Sequence, residues 1–169
     1  SDNTLFDLGN SVQVKVQETL GHASHHLAYF DLDSRGIFQG DAAGIYFPKL
    51  DVTIPTAPAP FHFEMTLTSL QKLANLEPKW LYYTHYGPVD HAVDRIQRYT
   101  AQLQLWANIV SEAVKRGDAL ESIHEQILEK DPQMKTAIDF INKHLLLRKG
   151  VLMQNIQGYM EYFKRKSLA

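Results

Sequence analysis

The segment from Ile37 to Tyr83 constrains the fold most. A short apolar run, Ile37-Phe38-Gln39, precedes a helical pattern, and a second short run, Trp80-Leu81-Tyr82-Tyr83, follows it. Within the helical stretch Met65, Leu67, Leu70, Leu73, Ala74 and Leu76 keep helical spacing, and Pro78 ends it. A strand, a helix and a strand in succession call for a crossover connection, which lays the helix on a sheet and makes the chain α/β.

Upstream, residues 12–19 alternate apolar and polar, so a strand is expected with Val12, Val14 and Val16 on one face. Leu27 to Leu32 is another apolar run, and Asp33-Ser34-Arg35-Gly36 supplies the turn that joins it to Ile37-Phe38-Gln39 as a hairpin. Ala42 to Pro60 has no usable periodicity and contains Pro48, Pro55, Pro58 and Pro60, which predicts an extended surface loop of cleft-forming length. From Asp90 onward the pattern is helical. Asp90 is a candidate N-cap, and Ile96, Tyr99, Leu103, Trp106, Val110 and Ala113 make an apolar stripe that Gly117 terminates. Asp118 and Glu121 suggest an acidic capping box before Leu120, Ile123 and Ile127. Asp131-Pro132 reads as N-cap and first helical residue ahead of Ile138, Ile141 and Leu145, and a last helix is expected over about Val151 to Lys164.

With 169 residues, 44% of them hydrophobic, the chain can bury a core, and one domain plus an extension is the natural division. A formal charge of −2 leaves no basic footprint for nucleic acid or an anionic membrane. The absence of cysteine excludes disulfides and thiolate metal sites and fits a cytoplasmic location. No apolar run approaches the roughly 18–20 residues of a membrane span. Ser1-Asp2-Asn3-Thr4 has neither an initiator Met nor signal-peptide character, which suggests a cut end.

Three segments carry chemistry: Thr19-Leu20-Gly21-His22-Ala23-Ser24-His25-His26, Gln39-Gly40-Asp41, and Thr84-His85-Tyr86-Gly87-Pro88. Each places a metal-competent His or Asp within a few residues of an expected strand, where the strand fixes the base of a loop and the loop aims the side chain. Gly40 would let the backbone turn sharply and bring Asp41 close to a metal. Taken singly, a His after a strand is most often a structural residue and a Gly-Asp pair an ordinary turn.

Together, and in this order, the segments resemble the third, fourth and fifth metal motifs of metallo-β-lactamase-fold hydrolases, in a glyoxalase II-like or uncharacterised hydrolase branch. The resemblance covers roughly residues 10–117. It implies the C-terminal half of an αβ/βα sandwich over residues 1–117, followed by a helical extension over 118–169. It also implies metal ligands at His22, Asp41 and His85, with Asp41 bridging two ions at the catalytic centre. The activity implied is hydrolysis by a metal-activated hydroxide attacking an ester, thioester, lactam or phosphodiester centre. The metal would be zinc in a two-metal site, with iron or manganese also compatible with such donors. His26 matches a position that is usually structural, packed and hydrogen-bonded beneath the site. His25 stands where relatives often have Gly, and would brace a ligand or face the substrate, as would Tyr86. Tyr46 and Phe47 are further candidates for substrate contact. His62 is expected at the surface or lining the cleft; His91, His124 and His144 are expected to be exposed or partly packed. The substrate would be a small molecule, but Lys49 is the lone basic residue of the 42–60 segment, so the glutathione anchor of glyoxalase II is not evident.

The family's remaining motif, His-x-His-x-Asp-His, does not occur in this sequence. Two protein ligands per metal fall short of the usual three, so the chain alone is expected to bind metal weakly, or to be metal-free, and to hydrolyse nothing. Its missing partner would be the N-terminal half of the same fold. Without it, the sheet face carrying Val12, Val14, Val16, Leu27 and Tyr29 would be bare, which a homodimer or an exchange of elements could cover. The competing expectation is a non-catalytic helical interaction or dimerisation module on a degenerate α/β base. An intact His-x-His-x-Asp-His upstream of Gly21 would decide for the enzyme.

Overall fold

The structure, a computed structural model, describes residues 2–85, 87–143 and 150–168. Tyr86, His144 and Leu145 lie outside the described residues. Its frame is a six-stranded sheet in the order β1-β2-β3-β4-β7-β8. The strands are β1 (Leu5–Asp7), β2 (Gln13–Glu18), β3 (Leu27–Asp31), β4 (Gly36–Gly40), β7 (Trp80–Tyr83) and β8 (Gly87–Val89). The expected 27–40 hairpin forms, with Tyr29 opposite Phe38 and Phe30 opposite Ile37. β4 and β7 run parallel, Ile37 opposite Leu81, and α1 (Phe63–Asn75) lies between them in sequence as the crossover requires. β8 was not apparent from the pattern: with Pro88 in a three-residue edge strand there is too little alternation to see.

Register sorts the sheet into two faces. Ala28, Phe30, Ile37, Gln39, Leu81, Tyr83 and Val89 share one face and are all buried. They belong to one hydrophobic core with Leu70 and Leu73 of α1 and the full predicted stripe, Ile96 to Ala113, of α2 (Ala92–Arg116). The other face carries Phe6, Val14, Val16, Leu27, Tyr29, Phe38, Trp80 and Tyr82. Phe38 is 49% exposed, Tyr29 41% and Trp80 41%, and the Phe38 and Tyr82 rings stack on each other with centroids 4.5 Å apart.

The 42–60 segment is not the extended surface loop that its prolines suggest. It forms a small hairpin, β5 (Ile45–Phe47) with β6 (Val52–Ile54), and all six strand residues are buried. Tyr46 packs on Tyr83 and Phe47 on Phe140, so these two side chains fill the core rather than face a substrate. The cover comes from the C-terminal helices: α3 (Leu120–Lys130), α4 (Pro132–Lys143) and α5 (Gly150–Ser167). Residues of all three share the core with the sheet. Such long-range cover leaves no periodic trace in the covered segment.

Helix ends follow the expectations in part. Asp131 caps α4 through Oδ1, which accepts the N–H groups of Gln133 and Met134, and its Oδ2 accepts from Trp106 Nε1 and Gln102 Nε2. Gly117 ends α2 in the left-handed conformation. Asp90 does not cap α2: the β7–β8 hairpin carries the chain to Val89, and His91, with φ 54°, takes the cap position. Asp118 forms no capping box, because its carboxylate is bonded to Arg116 and Gln126 instead.

Candidate functional site

β2, β4 and β7 each end at one of the three chemical segments, and the sheet brings these ends together. Asp41 follows β4 directly and lies between two imidazoles. Its Oδ2 is 3.7 Å from His22 Nε2 and its Oδ1 is 3.9 Å from His85 Nε2. Each carboxylate oxygen therefore faces a different ring. Oδ1 is buried and has no hydrogen-bond partner among the described residues. An unpaired buried carboxylate oxygen is costly, and a cation is the natural group to satisfy it.

A backbone hydrogen bond fixes which nitrogen His22 presents. His22 Nδ1 lies 3.0 Å from the Thr56 carbonyl oxygen, which can only accept, so Nδ1 carries the proton and the Nε2 lone pair points toward Asp41. Metal-binding histidines are commonly braced through the second nitrogen in this way. Thr56 also donates its hydroxyl to the Asp41 carbonyl at 2.7 Å. Its N–H donates to Tyr99 Oη at 3.3 Å, and burial pushes the Tyr99 phenol up to about 12, which keeps it neutral.

His26 sits behind these groups. Its Nε2 accepts the Asp41 N–H at 3.0 Å, so its Nδ1 carries the proton and donates to Thr19 Oγ1 at 2.6 Å. Both nitrogens are used on protein groups. Burial lowers the affinity of the ring for a second proton, and nearby His22 adds to the effect, against the opposing pull of Asp41. Gly40 turns the chain sharply into Asp41, with φ 61°, and is needed for a second reason: a Cβ at this position would stand 2.5 Å from His26 Nε2. Gln39, fully buried, accepts the Ala43 N–H at 2.6 Å and so braces the turn that carries Asp41. Thr84 Oγ1 donates to the Gly40 carbonyl, tying the His85 segment to the same turn.

His25 is exposed. His62 is exposed at the start of α1; its N–H donates to the Gly21 carbonyl next to His22, and its ring packs against Tyr162 of α5. His91 is exposed and His124 half-buried. Among the described residues no group of three or more His, Cys, Asp or Glu side chains gathers closely enough to hold one metal ion. What the structure assembles is a carboxylate shared between two separate imidazoles. Thr56 carried no sequence signal, and Gln39, although inside the Gln39-Gly40-Asp41 segment, had no role readable there, since each works through backbone groups distant in the chain or in an irregular turn.

No protein-family model matches the chain. A metallo-β-lactamase fold-containing protein of Sulfurisphaera tokodaii is 38% identical over 87 residues, covering 52% of this chain and 31% of the relative. The crystal structure of an archaeal metallo-β-lactamase superfamily protein from Sulfolobus tokodaii superposes with a TM-score of 0.53 at 33% identity, covering 59% of this chain and 36% of that one. A β-lactamase domain protein from Burkholderia ambifaria matches 99% of this chain with a TM-score of 0.66 at 15% identity, over 46% of its own length. The chain thus spans less than half the length of each of these proteins. No helix among the described residues is long and apolar enough to cross a membrane. The sequence likeness and the shared architecture agree: the chain carries part of the metallo-β-lactamase fold.

Proposed function

We propose that the chain is the C-terminal portion of a metal-dependent hydrolase acting on a small-molecule ester, thioester or related bond. The observation that carries this reading is the Asp41 carboxylate, with one oxygen toward His22 Nε2, the other toward His85 Nε2, and no hydrogen-bond partner for the buried Oδ1 among the described residues. His22, Asp41 and His85 would hold the metal, with Asp41 common to two ions. The donor set fits zinc, iron or manganese. Such ions supply Lewis acidity and make water a competent nucleophile near neutral pH.

The chain's own residues prepare this site without metal. The Thr56 carbonyl holds His22 in the tautomer that leaves Nε2 free, and His26 holds the Asp41 backbone. His26 is kept from ligation by its own hydrogen bonds, both nitrogens being occupied. The bare apolar face of the sheet supports a companion layer supplied by the rest of the same protein, which would also complete the ligand set.

In the complete protein, elemental analysis is expected to find bound metal, and Asp41→Ala to remove it together with hydrolysis across a panel of ester and thioester substrates. Metal content and activity unchanged by Asp41→Ala would overturn the reading. For the chain alone, calorimetric titration with zinc is expected to show weak binding. Tight uptake of two equivalents would contradict the expectation that ligands are missing.

A further inference from the structure

The Pro55–Thr56–Ala57 segment lies where the candidate ligands meet the C-terminal helix. From one side Thr56 touches both ligand segments: its carbonyl accepts from His22 Nδ1, and its hydroxyl donates to the Asp41 carbonyl. From the other side, α5 grips the peptide groups that flank Thr56. Asn155 Oδ1 accepts the Ala57 N–H at 2.7 Å, and Asn155 Nδ2 donates to the Pro55 carbonyl at 2.6 Å. Asn155 is 4% exposed. Three residues further on, Gly158 lets the helix approach to backbone distance, since a Cβ there would fall 1.9 Å from the Ala57 carbonyl oxygen.

A carboxamide buried in a helix that otherwise presents Leu152, Ile156 and Tyr159 to the core is an expensive choice of residue unless both of its ends are satisfied. Here both ends are spent on one short segment about 100 residues away in the chain. An apolar residue could pack α5 there, but it could not hold two peptide groups in a fixed orientation. The Thr56 carbonyl belongs to the second of them, sharing its peptide plane with the clamped Ala57 N–H, and it sets the His22 tautomer.

We propose that Asn155 is a positioning residue for the metal site: by clamping Pro55 and Ala57 it holds Thr56, and through Thr56 it fixes the tautomer and aim of His22 and the backbone at Asp41. The C-terminal helix thereby becomes part of the site's construction. This rests on the reading of His22 and Asp41 as metal ligands.

The test compares Asn155→Ala with Tyr159→Phe in the complete protein. Tyr159 lies on the same helix as Asn155, and Tyr159→Phe removes the hydrogen bond from Tyr159 Oη to the Leu103 carbonyl of α2 while leaving the two Asn155 bonds to the 55–57 segment in place. Two quantities are read: nitrogen NMR of the His22 ring in metal-free protein at neutral pH, and zinc affinity by competition with a chelator. Asn155→Ala is expected to turn a single Nδ1–H tautomer into a mixture and to weaken zinc binding by about 10–100-fold, the usual effect of losing an outer hydrogen-bond partner. Tyr159→Phe is expected to lower the melting temperature while leaving tautomer and affinity alone.

Should Asn155→Ala fail to fold, Asn155→Asp keeps the shape and the acceptor for Ala57 N–H but loses the donor to Pro55, and an intermediate loss of affinity is expected. The proposal is overturned if the folded Asn155 variant changes melting temperature only, or if Tyr159→Phe weakens zinc as much. Zinc binding that is indifferent to His22→Ala and Asp41→Ala would instead sink the metal-site reading, while the His22 tautomer still reports on the clamp.

Discussion

The two faces of the six-stranded sheet use similar side chains and meet opposite fates. On one face Phe30, Ile37 and Leu81 run across three strands in register, and helices bury them almost completely. On the other, Tyr29, Phe38 and Tyr82 cross the same three strands in the same way, yet Tyr29 and Phe38 stand open and Tyr82 is half-buried. A sheet face of aromatic and branched residues is stable in water only when something lies over it, and a patch of this kind marks a surface that is meant to be covered. The candidate site belongs to the covered side's architecture, because its bracing residues, Gln39, Thr56 and Tyr99, are all held in the core between sheet and helices. On the proposed reading, the ligand set and the sheet are incomplete together.

The sharpest way to break this comparison is to truncate a matched pair of residues. Leu81→Ala on the covered face should destabilise the chain by roughly 3 kcal/mol in urea unfolding, since a fully buried leucine leaves a cavity behind. Phe38→Ala on the bare face should cost less than about 1 kcal/mol in the same chain, because much of the ring is already in water. With the companion layer present, the Phe38 cost should rise toward the roughly 3 kcal/mol of a buried aromatic. Equal costs for both residues in the chain alone would show that the bare face is covered, and a dependence of the Phe38 cost on protein concentration would identify a second copy as the cover.

The sequence made the two faces legible in unequal measure. Alternation identified β2, the turn residues Asp33 to Gly36 joined the β3 and β4 segments as a hairpin, and the strand–helix–strand order called for the crossover, which the parallel β4–β7 pair realises. The bare face was legible in part, from the alternating residues together with the missing motif: Leu27 and Tyr29 are exposed on it, but Val16, expected bare with them, is buried, Val14 is half-buried, and Val12 lies outside β2. The buried hairpin of residues 45–54 was not, because its burial comes from helices almost 90 residues later, and its prolines argue locally for the surface. The resemblance of their three segments to the family motifs is what singles out His22, Asp41 and His85, and the sheet brings these side chains together. Their bracing was not legible, since Thr56 and Asn155 act through backbone amides and carbonyls of irregular segments, which have no characteristic residue pattern.

The smallest expected effect makes the finest test. Tyr29 lies between Val16 and Phe38 in the register of the bare face. Tyr29→Lys replaces an open phenol with a charge that can reach water, and its lysine stem can still lie along the neighbouring apolar side chains. Stability of the chain should change by no more than about 0.5 kcal/mol, as for an ordinary surface substitution. Self-association, followed by light scattering over a range of concentrations, should nevertheless fall, since a desolvated ammonium facing an apolar layer would be strongly unfavourable. A large loss of stability in a chain that scatters as a monomer would mean that this face is packed against the chain itself, and the contrast between the two faces would then disappear.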